Sequence, residues 1–340
     1  MRTIIKRVSE ESLLCAAEIL RAGGLVAFPT ETVYGLGANF LLERACAGIF
    51  AAKGRPADNP LILHISSADE LPRVAEKIPR AAFDLAEAFW PGPLTLVLKK
   101  SSLVPDIVTA GRDTVAVRLP ANAAARNLID LTGAPVAAPS ANRSTTVSPT
   151  CAEHVREDLD GLIDMILDGG ACLAGLESTI IDLSGDSFEI LRPGVITPED
   201  LARVLGAKPR LHAPGKDEPP RAPGMKYKHY APKAEIVVFF GQAHKTAERV
   251  NGIIAASADP SRIGVLATNE TAEMYDGRAL VLSVGSRGDV LEICRNLFRV
   301  LRLFDERGAG VIYAEALPER AAGRAAMNRL MKAASEVVRL

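Results

Sequence analysis

Over its first 205 residues the chain alternates short runs of β-branched and other apolar residues with segments of helical spacing. This alternation is typical of an α/β fold. Ser9 and Thr197 are predicted helix N-caps, the latter with Pro198 at the first helical position. Helices are expected at 10–22, 79–90, 121–131 and 197–205. Strands are expected at 25–28, 61–65, 94–99, 115–119, 136–138, 165–168, 178–183 and 188–191.

Residues 207–233 break this rhythm, with seven lysines or arginines against two acids, many prolines and no apolar periodicity. Such a stretch is expected to be a semi-rigid connector. Beyond it, strands are predicted at 236–240, 263–267, 279–284 and 311–314, and helices at 243–256, 288–306 and 320–338. Strands that alternate with helices in this way indicate a parallel sheet with both faces covered. A chain of 340 residues exceeds one comfortable core, so we expect two domains, 1–206 and 234–340.

Composition argues against several classes of protein. Aromatic residues make up 5% and the formal net charge is −1, which is unusual for a protein that holds nucleic acid mainly by its phosphates. The five cysteines form no C-x-x-C pair, so neither a zinc site nor a disulfide framework is indicated. No apolar run approaches the ~18 residues of a membrane helix, and the start lacks the apolar segment of a signal peptide. A cytoplasmic protein is expected.

Two polar segments follow predicted strands or helices early in the chain. P-T-E-T-V-Y-G-L-G, residues 29–37, places the hydroxyl of Thr32 where ligands of open α/β sheets bind, beyond the carboxyl end of a strand. Its alternative is a tight glycine-rich connection. K-G-R-P-A-D-N-P-L, residues 53–61, brings Lys53 and Arg55 close enough to converge on one anion. The alternative there is a solvated basic loop.

Three further segments carry polar residues at predicted strand ends. Arg118 lies within the apolar strand T-V-A-V-R-L-P, and a buried arginine requires an anionic partner. That partner is either a substrate carboxylate or a structural Asp or Glu. The hydroxyl-rich loop 138–150 is suited to phosphate or ribose oxygens, or is a flexible surface loop. Ser178 and Arg192 complete the set. No Walker motif, G-x-S-x-G or G-x-G-x-x-G accompanies them, so a bound ATP would be held by loops at strand ends.

Together, in this order and spacing, the segments resemble the threonylcarbamoyl-AMP synthase family in its long, two-domain form. The K-x-R and S-x-N elements of the family match Lys53–Arg55 and Ser140–Asn142. Its linker signature matches P-G-M-K-Y-K-H-Y-A-P at 223–232, and its late motif matches M-N-R-L at 327–330. The resemblance implies a YrdC-like twisted mixed sheet with helices, followed by a smaller Rossmann-like parallel α/β domain.

The resemblance also implies the site. L-Threonine would be held by Thr32, His64, Arg118, Ser178 and the backbone at Ala138. ATP would be held by Lys53, Arg55, Asn59, Thr114, Ser140, Asn142, Ser148 and Arg192, with His229 or Tyr230 from the linker. Lys53 and Arg55 would be catalytic, and no protein metal ligands are identified. One departure is Thr145–Thr146, where the family frequently has a glycine.

The implied reaction condenses L-threonine, bicarbonate or CO2 and ATP, with Mg²⁺, into threonylcarbamoyl-AMP and pyrophosphate. The basic linker would act as a lid, and the product would pass to a tRNA threonylcarbamoyl transferase, with direct tRNA binding weak or absent. Two alternatives stay open: an RNA-binding YrdC-like module, and a relative that transfers carbamoyl groups from carbamoyl phosphate.

Overall fold

The structure, a computed structural model, describes residues 2–213, 220–225 and 230–340. The chain divides into two compact units, Met1–Ser144 with Ser148–Tyr227, and Thr145–Val147 with Lys228–Leu340. Within the described residues, no helix has the length and apolar composition that a membrane span requires.

The first unit is built on a mixed sheet. Its strands are β1 (Ile4–Arg7), β2 (Val26–Phe28), β3 (Gly35–Asn39), β4 (Ile62–His64), β5 (Ala75–Glu76), β6 (Leu94–Lys100), β7 (Thr114–Arg118), β8 (Val136–Ala138), β9 (Met165–Asp168), β10 (Thr179–Asp182), β11 (Glu189–Arg192) and β12 (Arg210–Leu211). The helices are α1 (Glu10–Arg21), α2 (Glu43–Lys53), α3 (Leu71–Val74), α4 (Arg80–Phe89), α5 (Asp106–Thr109), α6 (Ala123–Thr132), α7 (Ala152–Leu159) and α8 (Pro198–Leu205). The strand order is β1-β9-β2-β3-β8-β4-β7-β6-β10-β11-β12, and β5 pairs with β6.

Local sequence signals explain the ends of two helices. The Ser9 hydroxyl accepts a hydrogen bond from the Ser12 amide at the start of α1, and Thr197 caps α8 in the same way through Asp200. Both predicted N-caps are thereby confirmed. Helices α1 and α6 pack together through an apolar cluster that includes Leu20 and Leu128.

Strand β3 lies where the sequence suggested a glycine-rich connection, and its glycines have a packing role. A Cβ atom built on Gly37 would lie 2.9 Å from Cε1 of Phe28 and 2.7 Å from Cγ1 of Val136. Gly35 is similarly close to the Phe28 ring. The absence of a Cβ atom at Gly35 and Gly37 therefore makes room for Phe28 on the neighbouring strand β2.

The second unit has a parallel sheet, as predicted. Its elements are β13 (Glu235–Phe240), α9 (Ala243–Ala256), β14 (Ile263–Ala267), β15 (Leu280–Ser283), α10 (Val290–Glu306), β16 (Val311–Glu315), α11 (Gly323–Ala333) and β17 (Glu336–Arg339). The strand order is β15-β14-β16-β13-β17, and all pairs are parallel. The predicted helix 320–338 is wrong at its C-terminal end. Ala334 is extended, and the β-branched Val337 and Val338 pair with β13.

Candidate functional site

One face of the first sheet gathers polar side chains from four neighbouring strands. His64 on β4 stands opposite Arg118 on β7, and Thr95 on β6 stands opposite Ile180 on β10. Because side chains two residues apart share a face, Ser178 lies on this face as well. The sequence predicted His64, Arg118 and Ser178 as site residues, and the register of the sheet brings them to one surface.

Arg118 is buried and is held by three partners. Its Nη2 donates to Oε1 of Glu31 at 2.6 Å, its Nη1 to Oγ1 of Thr32 at 2.9 Å, and its Nε to the carbonyl of Gly92 at 3.3 Å. Glu31 is the structural carboxylate that the sequence left open as one of two possible partners. No local pattern indicates this pairing, because 87 positions separate the two residues.

His64 is a neutral group in this environment. Burial lowers its pKa to about 3, and the positive charge of Arg118 acts in the same direction. Its ring meets the Phe28 ring edge-on at a centroid distance of 6.0 Å, and Nδ1 lies 3.2 Å from the carbonyl oxygen of Ile62. His64 is therefore suited to hydrogen bonding rather than to binding an anion.

Ser178 and Arg192, predicted to contact threonine and ATP respectively, touch each other. Arg192 Nη2 donates to the Ser178 hydroxyl at 3.1 Å and Nε to the Ser178 carbonyl at 3.1 Å. The Ser178 hydroxyl also lies 2.7 Å from that of Thr95, a residue that the sequence analysis missed. The alternation in L-T-L-V, residues 94–97, places Thr95 on the face opposite to Leu94 and Leu96, and this alternation could have identified it. Arg192 Nη1 reaches the carbonyl of Pro223 at 3.3 Å.

Lys53 at the end of α2 holds the Ser140–Asn142 turn. Its buried ammonium donates to the carbonyl of Ser140 at 2.6 Å, to the carbonyl of Asn142, and to Oδ1 of Asn142 at 3.4 Å. Three acceptors match the three N–H groups of an ammonium. Burial and then the charge of Arg55 lower the pKa of Lys53 below its ordinary value, whereas Asp158 raises it. In this structure Lys53 thus shapes a turn.

Arg55 lies beside Asn59. Its Nε donates to the Asn59 carbonyl at 3.2 Å, and its Nη2 donates to the carbonyl of Pro60 at 2.9 Å. The side chain of Asn59 is 2% exposed, and its Oδ1 accepts no hydrogen bond from the described residues. A buried amide oxygen in that state is an acceptor to which a ligand can donate.

The remaining predicted residues are placed as follows. Ser148 donates its hydroxyl proton to Oε1 of Glu177 at 2.6 Å, and Ala138 ends β8 opposite Ile62. Thr114 begins β7. His229 lies outside the described residues. Tyr230 belongs to the second unit, where its ring stacks on Phe298 and lies 5.4 Å from Cζ of Arg329.

Residues 220–225 of the linker lie on the same face of the first sheet. Ala222 and Met225 pack in an apolar cluster with Ile62, Ala116 and Ile180. Arg221, which the sequence analysis did not single out, anchors this segment through Asp182 Oδ2 at 2.8 Å and Glu189 Oε2 at 2.5 Å. In the described parts of the chain, no three His, Cys, Asp or Glu side chains are grouped as a metal site.

The protein is thus of the mixed α/β class, with a mixed sheet that carries the polar face in its first unit and a parallel sheet in its second. The family model described as "Telomere recombination" matches residues 18–194. The model described as "Threonylcarbamoyl-AMP synthase, C-terminal domain" matches residues 196–335. The structure of E. coli YciO covers 56% of the chain, and the chain covers 93% of it, with 26% identity and a TM-score of 0.50.

Proteins that match the chain over nearly its full length have a higher sequence identity to it than YciO has. The chain is 49% identical over 333 residues to a threonylcarbamoyl-AMP synthase of Pyrococcus abyssi, covering 96% of this chain and 95% of the relative. The corresponding Bacillus subtilis protein is 45% identical over 326 residues, covering 94% and 92%. The crystal structure of P. abyssi Sua5 complexed with L-threonine has a TM-score of 0.92 at 46% identity, covering 100% of this chain and 99% of that one. The chain belongs to the threonylcarbamoyl-AMP synthases, an enzyme family.

Proposed function

We propose that the protein condenses L-threonine, bicarbonate or CO2, and ATP into threonylcarbamoyl-AMP and pyrophosphate, for use in tRNA modification. The observation that carries this proposal is the polar face of the first sheet. There a buried arginine, a neutral histidine and hydroxyl groups lie on one face of the sheet, where they are suited to contact the carboxylate, amine and hydroxyl of an amino-acid ligand. The similarity to a Sua5 crystallised with L-threonine supports the same assignment.

In the proposal, Arg118 binds the carboxylate of threonine. A guanidinium has five N–H groups, and among the described residues Arg118 bonds through three of them, so two remain for a bidentate carboxylate. Neutral His64 and the hydroxyls of Thr32 and Ser178 recognise the hydroxyl and amine of the ligand. The backbone at Ala138 lines the same pocket.

ATP lies beside the amino acid in this proposal. Arg55 and Arg192 supply positive charge to the phosphates, while Lys53 fixes the turn from which Ser140 and Asn142 contact the nucleotide. The Oδ1 of Asn59, which has no hydrogen-bond partner among the described residues, accepts a donor of the nucleotide. Thr114, Ser148 and the linker pair His229–Tyr230 complete the proposed ATP contacts. One solved relative is a P. abyssi Sua5 variant with an adjacent His–Tyr pair replaced by alanines, and this chain has a single His–Tyr dipeptide.

The chemistry then follows from charge and position. After the threonine ammonium loses a proton, the amine adds to CO2 with release of a proton, or condenses with bicarbonate with release of water, to give a carbamate. An oxygen of this carbamate attacks the α-phosphorus of ATP and expels pyrophosphate. Both reactants are anionic, so fixed cations lower the barrier by offsetting their repulsion. Mg²⁺ is included as an ion carried by the triphosphate, since Mg²⁺ commonly keeps phosphate and water ligands. The anhydride product hydrolyses readily, so we assign the linker the role of a lid that excludes water.

The test is pyrophosphate release with L-threonine and bicarbonate omitted in turn, and with L-serine in place of L-threonine. Release that needs both threonine and bicarbonate supports the proposal, and release independent of threonine refutes it. Arg118→Ala removes a charge-assisted contact to the carboxylate, so threonine-dependent release should fall at least about tenfold. Replacing 223–230 with a Gly/Ser stretch should reduce the yield of intact adenylate, and an unchanged yield contradicts the lid.

A further inference from the structure

Glu31 places a fixed negative charge inside the proposed threonine pocket. Its Oε1 accepts from Arg118 Nη2 at 2.6 Å, and its Oε2 accepts from the Ala121 amide at 3.0 Å. The side chains of Arg118 and Glu31 are 4% and 11% exposed. Both carboxylate oxygens are thereby held in place, and water screens the pair poorly.

The charge of Arg118 is consequently balanced before any ligand arrives. A carboxylate that binds the two remaining N–H groups brings a second anion to the same guanidinium. Neighbouring His64 offers no compensation, because burial keeps its imidazole neutral. Two carboxylates around one buried cation repel each other unless a further positive charge comes with the ligand. An α-amino acid carries that charge as its ammonium group.

We infer that Glu31 is the specificity-determining residue that makes this pocket select zwitterionic amino acids over simple hydroxy acids. This inference rests on the proposed function, in which Arg118 binds the carboxylate of threonine. The selection acts on the incoming ligand, before its amine is converted to the carbamate. It operates mainly by rejection, since an anion that arrives without an ammonium group meets uncompensated repulsion from Glu31.

The experiment compares two ligands by calorimetry on the full chain. One is L-threonine, and the other is β-hydroxybutyrate of the same configuration at the hydroxyl carbon, which is threonine without its amino group. Wild-type protein should prefer threonine, and Glu31→Gln should reduce the ratio of the two affinities at least about tenfold, with β-hydroxybutyrate binding more tightly than to wild type. Glu315→Gln is the matched control, because Glu315 is another buried glutamate paired with an arginine, it lies in the second unit, and its replacement should leave the ratio unchanged.

The outcomes separate this inference from the proposed function. If wild type binds neither ligand, the proposed function fails. If wild type binds threonine but Glu31→Gln weakens both ligands equally and keeps the ratio, Glu31 has only a structural role and the inference is overturned. If Glu31→Gln does not fold, Glu31→Asp retains the charge and should retain the preference for threonine. Loss of that preference in Glu31→Asp also overturns the inference.

Discussion

Replacing Lys53 by methionine tests whether its ammonium is a structural centre of the site. Methionine fills similar space, but it removes the ammonium that donates to the carbonyls of Ser140 and Asn142, whereas Oδ1 of Asn142 still accepts from the Ser140 hydroxyl at 2.6 Å. A buried carbonyl that loses its donor costs about 1–3 kcal/mol, partly offset because the ammonium no longer has to be desolvated. We therefore expect the first unit to lose about 2–4 kcal/mol of unfolding free energy, and the affinity for ATP to fall as the turn shifts.

The assay is urea unfolding followed by tryptophan fluorescence. Trp90 is the single tryptophan of the chain and lies in the first unit, so its emission reports that unit alone. Lys99→Met is the matched control, because Lys99 pairs with Asp113 at the surface and such pairs contribute about 0–1 kcal/mol. Equal unfolding free energies for Lys53→Met and Lys99→Met would refute the structural role of Lys53.

Three further perturbations follow from the geometry. The pKa of His64 is about 3 in the folded protein and 6.5 ordinarily, so between these values only the unfolded state gains a proton, and the unfolding free energy declines as pH falls. His64→Gln should reduce the slope of that decline by up to about 1.4 kcal/mol per pH unit in the same fluorescence assay. Parallel curves of unfolding free energy against pH for wild type and His64→Gln would contradict this prediction. Gly194→Ala places a Cβ 2.3 Å from the Thr179 amide nitrogen and should cost about 1–3 kcal/mol, whereas Gly185→Ala, with open space around it, should be nearly neutral. Thr145 has a φ of 76°, so Thr145→Gly should stabilise by about 0.5–1 kcal/mol in thermal unfolding, and an equal gain from Thr146→Gly would contradict a backbone cause.

Sequence patterns predicted elements with strong local signals and missed those that depend on distant pairing. Helix α9 and strand β14 begin and end at the expected residues, since apolar periodicity and flanking breakers define both. Strand β3 is rich in glycine and has low β propensity; it exists because β2 and β8 pair with it and Phe28 packs over it. The final strand β17 continues a helical pattern in sequence and was missed for the same reason.

In the site, too, local patterns were predictable from the sequence, whereas pairings between distant residues were not. Alternation along β7 puts Arg118 and Thr114 on one face, and the sheet register extends this face to His64. The partners that fix these residues come from distant parts of the chain, as Glu31 does for Arg118. A single sequence carries no signal for such pairings. The glycine that is frequent in the family near Thr145 has a physical explanation. Thr145 has a left-handed backbone conformation, which glycine adopts without strain.

The most direct test of the proposed function follows the carbon atom of bicarbonate. The protein is incubated with ATP, L-threonine and isotopically labelled bicarbonate, and the adenylate product is analysed at once by mass spectrometry. The proposal predicts a single product containing AMP, threonine and the labelled carbon. An adenylate that contains threonine but no label would show direct activation of the amino-acid carboxylate and would contradict the proposed reaction.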